Sequence, residues 1–548
     1  MLSYRKLAMR VLGRPLHTGG NDSPRPASQR AAALVLTAAM LTALTAPAFA
    51  ETWDIEKGDI TVRAGKTEGT NMVSQGEQKD VEDTGTVITG KSDRNTVTIE
   101  AKDKDDKVEV TLKDLNIDAS SGSEAAVSVT GEGNTNIELD GDNALKSDIY
   151  SSGISSSGSL TISGGENDSL TAQGGSGADG IYSSGSLTIS GGTVTANGGS
   201  SGGGDGGDGI WSSGGVTISG GSTVTANGGD GKDDYGGDGI RSDSGDVTIS
   251  GGSTVTANGG NGGNVSGDGI RSDSGDVTIS GGTVKAAGGD SKDGYGGDGI
   301  RSGGVTISGG TVNAAGGNGG KVGGYGICSF ARVAISGGTV NAAGGNGKNS
   351  NGGSDGIISN DIDLSGSLEL TAKAGRPNGK AISWAGHELD LDTIKDKLGP
   401  GAKVTATDAN GETKQVSSPI PRPVEPEEPE PVIPEESSSS SDGGSAAPSA
   451  PVSPLPGLTV TDKDGQRISY TSIRGNNVLS LRVGRFTASL RVSLATLRQL
   501  RAEGIDTITF QTILCSTTLS VDELLAMGGE DAEAVLTHRL TASSLTVG

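Results

Sequence analysis

Glycine-isoleucine pairs mark a regular repeat through the middle of the chain. The isoleucines of successive pairs are 27 to 30 residues apart. A self-similar period of this length is typical of a solenoid, in which each repeat forms one coil and packs only on its neighbours. The pattern therefore predicts a stack of coils that are built around Ile154, Ile181, Ile210, Ile240, Ile270, Ile300, Ile327 and Ile357.

Each repeat contains three short segments in which apolar and polar residues alternate. The Gly-Ile segment comes first, a segment such as VTI at 247–249 follows, and a segment such as TVTAN at 254–258 completes the unit. Alternation with a period of two predicts β-strands with one buried face. Three strands in each coil of about 27 to 31 residues predict an all-β fold, the right-handed parallel β-helix.

Stacking is what gives such strands a core. One coil cannot bury its own Ile, Val and Ala side chains, whereas coils about 4.8 Å apart place like residues in continuous ladders. Parallel pairing between coils also satisfies the backbone N–H and C=O groups. Glycine pairs at the corners are expected to adopt backbone angles that other residues disfavour.

The N-terminal 50 residues have the pattern of an export signal. A basic lead precedes the apolar run AAALVLTAAMLTALTA and the small-residue site Ala48-Phe49-Ala50. We expect cleavage after Ala50, which leaves no transmembrane segment in the mature chain, and retention as a membrane anchor is the alternative. The mature protein is then secreted, extracellular and associated with a bacterial cell surface.

Four further regions follow the signal. Residues 51–150 are irregular strands that suit an N-terminal cap, and residues 151–406 hold the glycine-rich repeats, with DLDTIKDKLG as a short capping helix near their end. Residues 417–457 are rich in Pro, Glu and Ser and are predicted to form a disordered linker. Residues 458–548 are predicted to form a small α+β domain, with helices that begin at Ser493 and Ser520.

Composition narrows the classes of function. The chain has 96 glycines and only 3% aromatic residues. Its formal charge of -24 disfavours binding to nucleic acid and to anionic lipid, and favours binding to divalent cations, basic partners or neutral ligands. The three histidines, His17, His387 and His538, all lie outside the regular Gly-Ile coils from Ile154 to Ile357, so no catalytic triad or metal-histidine cluster is expected. The two cysteines, Cys328 and Cys515, are expected to be small core residues.

An aspartate recurs two residues before the repeat isoleucines. Carboxylates stacked one coil apart would repel one another at a surface, so either a cation or another arrangement must relieve them. Calcium is one candidate, because GGSGADGI, GGDGGDGI and GGDGKDDY resemble the calcium nonapeptide pattern. The alternatives are hydrogen bonds from the backbone amides of each aspartate's own turn, and neutralisation by Arg241, Arg271 and Arg301. The candidate calcium ligands are Asp179, Asp208, Asp233, Asp238, Asp268 and Asp298.

Aromatic residues follow two neighbouring repeat isoleucines. Tyr182 and Trp211 would lie on adjacent coils, where they could form a flat platform for sugar rings or simply shield the edge of the coils. Threonine pairs such as Thr193 and Thr195 form another outward rank, which also resembles ice-binding solenoids but is interrupted at Lys285. Threonine suits exposed strand positions in any case.

A family resemblance adds to this interpretation. The run VEVTLKDLNIDASSGSEAAVSVTGEGNTNIELDGDNALKS, followed by the GSLTISGG units, resembles the carbohydrate-binding β-helix domains of envelope proteins from clostridia and related gut bacteria. The resemblance spans roughly residues 51–400 and implies a right-handed parallel β-helix, bound calcium and polysaccharide binding. It assigns no individual sugar-binding residue.

We therefore expect a non-catalytic, monomeric protein that binds an extracellular polysaccharide or surface glycan. An adhesin for a host or bacterial surface protein is the second hypothesis, and a polysaccharide lyase or hydrolase is the third. Acidic and basic residues follow the repeat throughout, whereas an active site would be expected to interrupt it.

Overall fold

The computed structural model describes residues 51–418, except Ser123 and Asn351, and most of residues 458–547. The chain divides into two units near Glu425, which are described separately. The predicted signal at 1–50, linker residues 419–457 and Cys515 lie outside the described residues. Short gaps in the second unit fall at 463–466, 469, 476–477, 484–486, 513–515, 522–523, 526–532 and 539–542.

The first unit is a parallel β-solenoid with three strands in each coil, as the repeat predicts. Each strand pairs in parallel with the equivalent strand one coil further along, so that Ile210 faces Ile240, and Ile240 faces Ile270. Like residues therefore stack on like residues for the length of the repeat. The same register aligns Val216 with Val247 in the second strand.

The strands form three sheets, one for each position within the coil. The first sheet contains Ile60–Ala64, Val97–Glu100, Val127–Thr130, Ile154–Ser156, Ile181–Ser183, Ile210–Ser212, Ile240–Ser242, Ile270–Ser272, Ile357–Ser359 and Ile382–Trp384. The second contains Thr52–Asp54, Thr86–Ser92, Lys107–Asp118, Asn134–Asp140, Ser159–Gly164, Leu187–Ile189, Val216–Ile218, Val247–Ile249 and Val277–Ile279. The third contains Asp142–Lys146, Ser169–Gln173, Thr193–Asn197, Thr223–Asn227, Thr254–Asn258, Thr283–Ala287, Thr311–Ala315 and Lys403–Thr407.

Several longer strands continue from one sheet into the next, among them Lys107–Asp118, whose last three residues pair with the third-sheet strand Asp142–Lys146. Ile300–Ile307 joins the first and second sheets, Ile327–Ala343 passes through all three, and Asp361–Lys373 joins the second and third. In the coil that begins at Ile300, only Ser302, Gly303 and Gly304 separate the two apolar segments, so there is no room for the turn seen in longer coils.

The core is a narrow column of stacked aliphatic side chains. Ile240, Val247 and Ile249 are fully buried, and Val255 and Ala257 of the third sheet are 1% and 0% exposed. The residues between them are more exposed, which confirms the predicted alternation. Cys328 is a free thiol that is buried, as predicted, but it is in register with the outward Arg301 and lies outside the aliphatic column.

Glycines at the corners act in two different ways. Gly251 and Gly252, after the second strand, have φ values of +66° and +76°, which confirms the expected use of left-handed backbone. The glycines before each aspartate are different, because a Cβ on Gly267 would lie 1.8 Å from the carbonyl oxygen of Gly237 in the preceding coil. Here close packing of one backbone on the next, rather than φ, requires glycine.

Both ends of the solenoid carry antiparallel strands that follow the edge coil. At the N-terminal end, Asn71–Gln75 pairs with Ile60–Ala64 and Gln78–Asp83, and a 3-10 helix covers Ile55–Lys57. At the C-terminal end, the predicted capping helix is a 3-10 helix, Leu391–Lys397. Thr413–Ser417 then folds back on Lys403–Thr407, so the solenoid continues beyond its predicted end at Ala406.

The described residues of the second unit form two four-stranded sheets and the helix that was predicted at Ser493. The Ser493 hydroxyl accepts a hydrogen bond from the Thr496 amide and caps helix α1, Leu494–Ala502. The predicted helix after Ser520 lies partly outside the described residues. The strands are Leu458–Thr461, Ala488–Ser493, Glu533–His538 and Ser543–Val547 in one sheet, and Thr471–Gly475, Val478–Arg482, Thr507–Gln511 and Ser516–Ser520 in the other.

Candidate functional site

The outer surface of the first sheet changes in character from coil to coil. The residue after each inward aliphatic residue points outward, and the parallel register stacks these residues in one rank. Small hydroxyl residues come first, two aromatic residues follow and three arginines come next. This part of the rank consists of Thr98, Ser128, Ser155, Tyr182, Trp211, Arg241, Arg271 and Arg301, and the register continues to Cys328 and Ile358.

The structure brings Tyr182 and Trp211 into direct contact on adjacent coils. Their ring centroids are 5.1 Å apart and their planes cross at 70°, so the predicted flat platform is wrong. At this distance the negative face of one ring attracts the positive edge of the other, which favours an angled pair over a coplanar one. The two rings form the sides of a corner.

Two neighbours fix the orientation of Trp211. Its indole N–H donates to the Asp243 carboxylate at 3.0 Å, and the Arg241 guanidinium lies 5.1 Å from the ring centroid. Both contacts come from the next coil, and a cation over an indole face is favourable. Contacts within the protein therefore set the orientation of the ring.

An open groove of about 610 Å³ begins at this aromatic pair and follows the hydroxyl part of the rank. Tyr150 stands beside it with 84% of its surface exposed. The groove contains aromatic rings, hydroxyl groups and two carboxylates, from Glu124 and Asp179, and no lysine or arginine. The complete lining is Thr98, Glu124, Ala125, Ser128, Thr130, Tyr150, Ser151, Ser152, Ser155, Asp179, Tyr182 and Trp211.

Several of these lining residues were not identified from the sequence. Ser128 and Ser155 each follow the inward residue of a first-sheet strand, so extending the alignment of coils backward from Tyr182 would have found them. Tyr150 gives no such signal, because it lies in an irregular loop, where it adopts a φ of +65°.

The repeated aspartates form a second rank, which is buried rather than exposed. Asp208, Asp238, Asp268 and Asp298 are 4% to 7% exposed, and Asp179 is 9% exposed. The expectation of carboxylates repelling one another at a surface is therefore wrong. The neighbouring glycines let the coils approach so closely that each side chain is enclosed between backbones.

Each of these carboxylates accepts a hydrogen bond from the coil that follows. The amide of Asp208 donates to Asp179 Oδ1 at 2.8 Å, and the amides of Asp238, Asp268 and Asp298 repeat the bond at 2.5, 2.6 and 2.6 Å. The predicted hydrogen bonds to the aspartates are therefore present, but the predicted donor is wrong. The donating amide belongs to the next coil and not to the aspartate's own turn. The rank continues with Tyr325, whose amide donates to Asp298.

Burial changes the acidity of this rank. Loss of solvation raises the pKa of Asp179 and Asp298 to about 6 and that of Asp238 and Asp268 to about 7. Burial also raises the pKa of Asp208 well above its usual value, and the neighbouring carboxylates add to the effect. The amide bonds and nearby arginines oppose these shifts without cancelling them.

The arginines lie between this buried rank and a set of surface carboxylates. Arg271 pairs with Asp273 at 2.6 Å and lies 3.8 Å from Asp238. Arg241 pairs with Asp243 at 3.0 Å and with Asp273 at 3.2 Å. The arginines therefore offset part of the negative charge along this edge of the coils, which was one of the alternatives drawn from the sequence.

The geometry favours hydrogen bonds and arginines over a metal at the aspartate rank. One oxygen of each carboxylate accepts an amide, and guanidinium groups lie 3.8 Å from Asp238 and 3.9 Å from Asp298. Asp233 does not join the rank and is exposed in a loop. Within residues 51–418 and the described parts of 458–547, no three His, Cys, Asp or Glu side chains form a metal cluster. Calcium binding stays a prediction.

The outward threonines of the third sheet stack in register, as expected. Thr195, Thr225 and Thr256 are followed by Lys285, which interrupts the rank. Asn313 comes next in the same register, and the side-chain amide of Asn341 donates to the side-chain oxygen of Asn313 at 2.9 Å. Polar side chains thus bond along this face from coil to coil.

One family model matches part of the solenoid. Four segments match the family model for the beta helix repeat, at residues 187–210, 216–240, 277–300 and 305–327. No curated protein and no solved structure matches the chain. No helix in the part of the chain that the structure describes is long and apolar enough to cross a membrane.

Proposed function

We propose that this beta-helix repeat protein is a non-catalytic, extracellular carbohydrate-binding protein of a bacterial cell surface. The polysaccharide lies in the groove that starts at Tyr182 and Trp211. The observation that carries the proposal is the angled pair of aromatic rings, 5.1 Å apart, beside a groove of about 610 Å³ that is otherwise lined mostly by hydroxyl-bearing and small residues.

The chemistry of the groove matches that of a sugar. The C–H face of a sugar ring is apolar and packs on an aromatic face, while its hydroxyl groups need donors and acceptors around the rim. Tyr150, Tyr182 and Trp211 provide the faces, and the Ser and Thr hydroxyls provide both donors and acceptors. Glu124 provides an acceptor. Because the lining has carboxylates and no cation, a neutral glycan fits better than an anionic one.

The spacing of the coils also suits a chain of sugars. The residues from Thr98 to Trp211 lie on five successive coils, which are four steps apart. Adjacent strands are about 4.8 Å apart, so this part of the rank is about 19 Å long. A sugar unit in an extended polysaccharide has nearly the length of one coil step. Successive sugars can therefore meet successive coils.

Two features support a binding role without catalysis and a location outside the cell. The buried aspartates are each engaged by the amide of the next coil, so they are poorly placed to act on a substrate. The N-terminal residues have the pattern of an export signal. Binding at a surface also suits a chain with a formal charge of -24, which keeps it from nucleic acid and anionic lipid.

A glycan array followed by titration of the best neutral oligosaccharide tests the proposal. Tyr182→Ala and Trp211→Ala are each expected to weaken binding about tenfold, which corresponds to about 1.4 kcal/mol. Trp384→Ala is the matched control, because Trp384 is 49% exposed at the C-terminal end of the solenoid and should have no effect. Unchanged melting temperatures establish that the variants are folded.

Three results would overturn the proposal. Binding only to protein ligands would favour the adhesin hypothesis, and release of unsaturated uronides or new reducing ends from the bound glycan would favour a lyase or hydrolase. Full binding by the Tyr182→Ala, Trp211→Ala double variant would show that the glycan does not bind in this groove.

A further inference from the structure

A second aromatic rank lies on loops that the groove does not include. These loops follow the third strand of the coil, and parallel bridges align Tyr235 with Val265, Val265 with Tyr295, and Tyr295 with Val322. Four consecutive coils therefore present tyrosine and valine in alternation. None of these residues lines the Tyr182 groove.

The two tyrosines belong to the small set of large apolar side chains that are exposed in the described part of the chain. Tyr235 is 49% exposed and Tyr295 is 47% exposed, in a protein with only 3% aromatic residues. The Lys321 ammonium lies 5.6 Å from the Tyr295 ring centroid, which helps to hold that ring. The two rings are separated by one coil, which carries Val265 at the equivalent position.

A polar groove of about 670 Å³ belongs to the same set of loops. One rank of side chains along it is Asp230, Asn261, Asp290 and Asn318, each of which accepts a backbone amide from the next coil. Lys232, Lys292 and Lys348 line it as well. The lining of this groove does not include the tyrosines, but the same loops carry both, and the groove offers carboxamide, carboxylate and ammonium groups to a hydroxyl-rich ligand.

We propose that these loops form a second site, which binds a linear β-1,4-linked polysaccharide that runs along the axis of the solenoid. Tyr235 and Tyr295 are two coils apart, a distance of about 10 Å. In an extended β-1,4-linked chain each sugar is turned over relative to its neighbour, so the same ring face returns at every second sugar. Aromatic rings on alternate coils match that period, and Val265 and Val322 contact the sugars between.

This inference does not depend on the Tyr182 groove. Isothermal titration of the purified protein with cellohexaose, chitohexaose and mannohexaose is the direct test. At least one of them should bind, and Tyr235→Ala with Tyr295→Ala should weaken that binding at least about tenfold. The double Tyr→Phe variant keeps both rings and should bind like the wild type. Trp384→Ala, with similar exposure, is again the control.

The spacing has its own test. Exchanging the side chains of two coils, by Val265→Tyr with Tyr295→Val, keeps the composition but moves the rings from two coils apart to one. The exchanged variant should lose binding as the double alanine variant does. Equal binding by the exchanged variant and the wild type would show that the two-coil period is irrelevant and would overturn the proposal.

The two sites can fail separately. If the Tyr182 and Trp211 variants abolish all hexasaccharide binding and the Tyr235 and Tyr295 variants change nothing, the second site is refuted and the first stands. The reverse result supports the second site, and the first site is then decided by the titration of its own array glycan. Absence of binding to all three hexasaccharides overturns the second site, whatever the array shows for the first.

Discussion

The backbone amide of Asp268 donates to the Asp238 carboxylate at 2.6 Å, from one coil of the solenoid to the previous one. Both side chains are at most 5% exposed. The bond joins neighbouring coils at a point where a buried amide would otherwise lack an acceptor. The carboxylate thus serves the fold, but its charge is costly in such surroundings.

The first prediction is that this aspartate rank makes the solenoid more stable in mild acid than in base. Burial raises the pKa of Asp238 and Asp268 to about 7, whereas the unfolded chain has the ordinary value of 3.8. Between these values the folded state binds more protons than the unfolded state, so the free energy of unfolding falls as pH rises from about 4 to about 7. Thermal melts across this range should show that decline and a plateau above it.

Exposed carboxylates act in another pH range. Hydrogen bonds lower the pKa of Asp168 and Asp118 below 3.8, so their stabilisation is lost only in stronger acid. A melting temperature that rises steadily from pH 5 to pH 8 would contradict the assignment of the buried rank.

The second prediction separates the charge of the rank from its hydrogen bond. Asp238→Asn keeps an oxygen that can accept the Asp268 amide and removes the charge, so stability at pH 8 should stay equal or rise and the pH dependence should become shallower. Asp238→Ala leaves a buried amide without its acceptor and should cost about 1 to 3 kcal/mol. Chemical denaturation at pH 5 and pH 8 measures both. An asparagine variant as unstable as the alanine variant would show that the charge itself is needed.

The third prediction concerns calcium. If Asp208 and Asp238 share a cation between coils, calcium at about 100 times its dissociation constant should stabilise the fold by about 2.7 kcal/mol for each site. The hydrogen-bonded geometry favours the opposite outcome, with the same melting temperature in calcium and in chelator. Asp208→Asn together with Asp238→Asn is the discriminating variant. A calcium-dependent rise that this variant abolishes would restore the metal site.

The fourth prediction tests the inward ladders. Ile240 and Val247 are fully buried and face identical residues in the next coil. Ile240→Asp or Val247→Asp places an unpaired charge in an apolar column and should cost several kcal/mol, roughly 3 or more. Thr248→Asp is the control, because Thr248 lies between two inward residues and is more exposed. Equal melting temperatures for Val247→Asp and Thr248→Asp would contradict the register.

At the candidate site, the sequence predicted which residues lie on neighbouring coils but not how their side chains are oriented. The period of the repeat placed Tyr182 and Trp211 on adjacent coils, which the structure confirms. It did not give their 70° angle, which depends on how the two rings meet and on the contacts of Trp211 with Arg241 and Asp243. Tyr150 comes to the groove from an irregular loop, whose path no repeat describes.

By itself the sequence determined the architecture, because a parallel solenoid repeats one local pattern. Alternation within the strands chose the inward residues, and the interval between Ile210 and Ile240 fixed the register that stacks them. Only the tertiary structure decided the environment of Asp208 and Asp238, since burial depends on how closely one coil approaches the next. The bare backbones of Gly207 and Gly237 permit that approach and enclose the carboxylates, which turns an expected surface rank into a buried one.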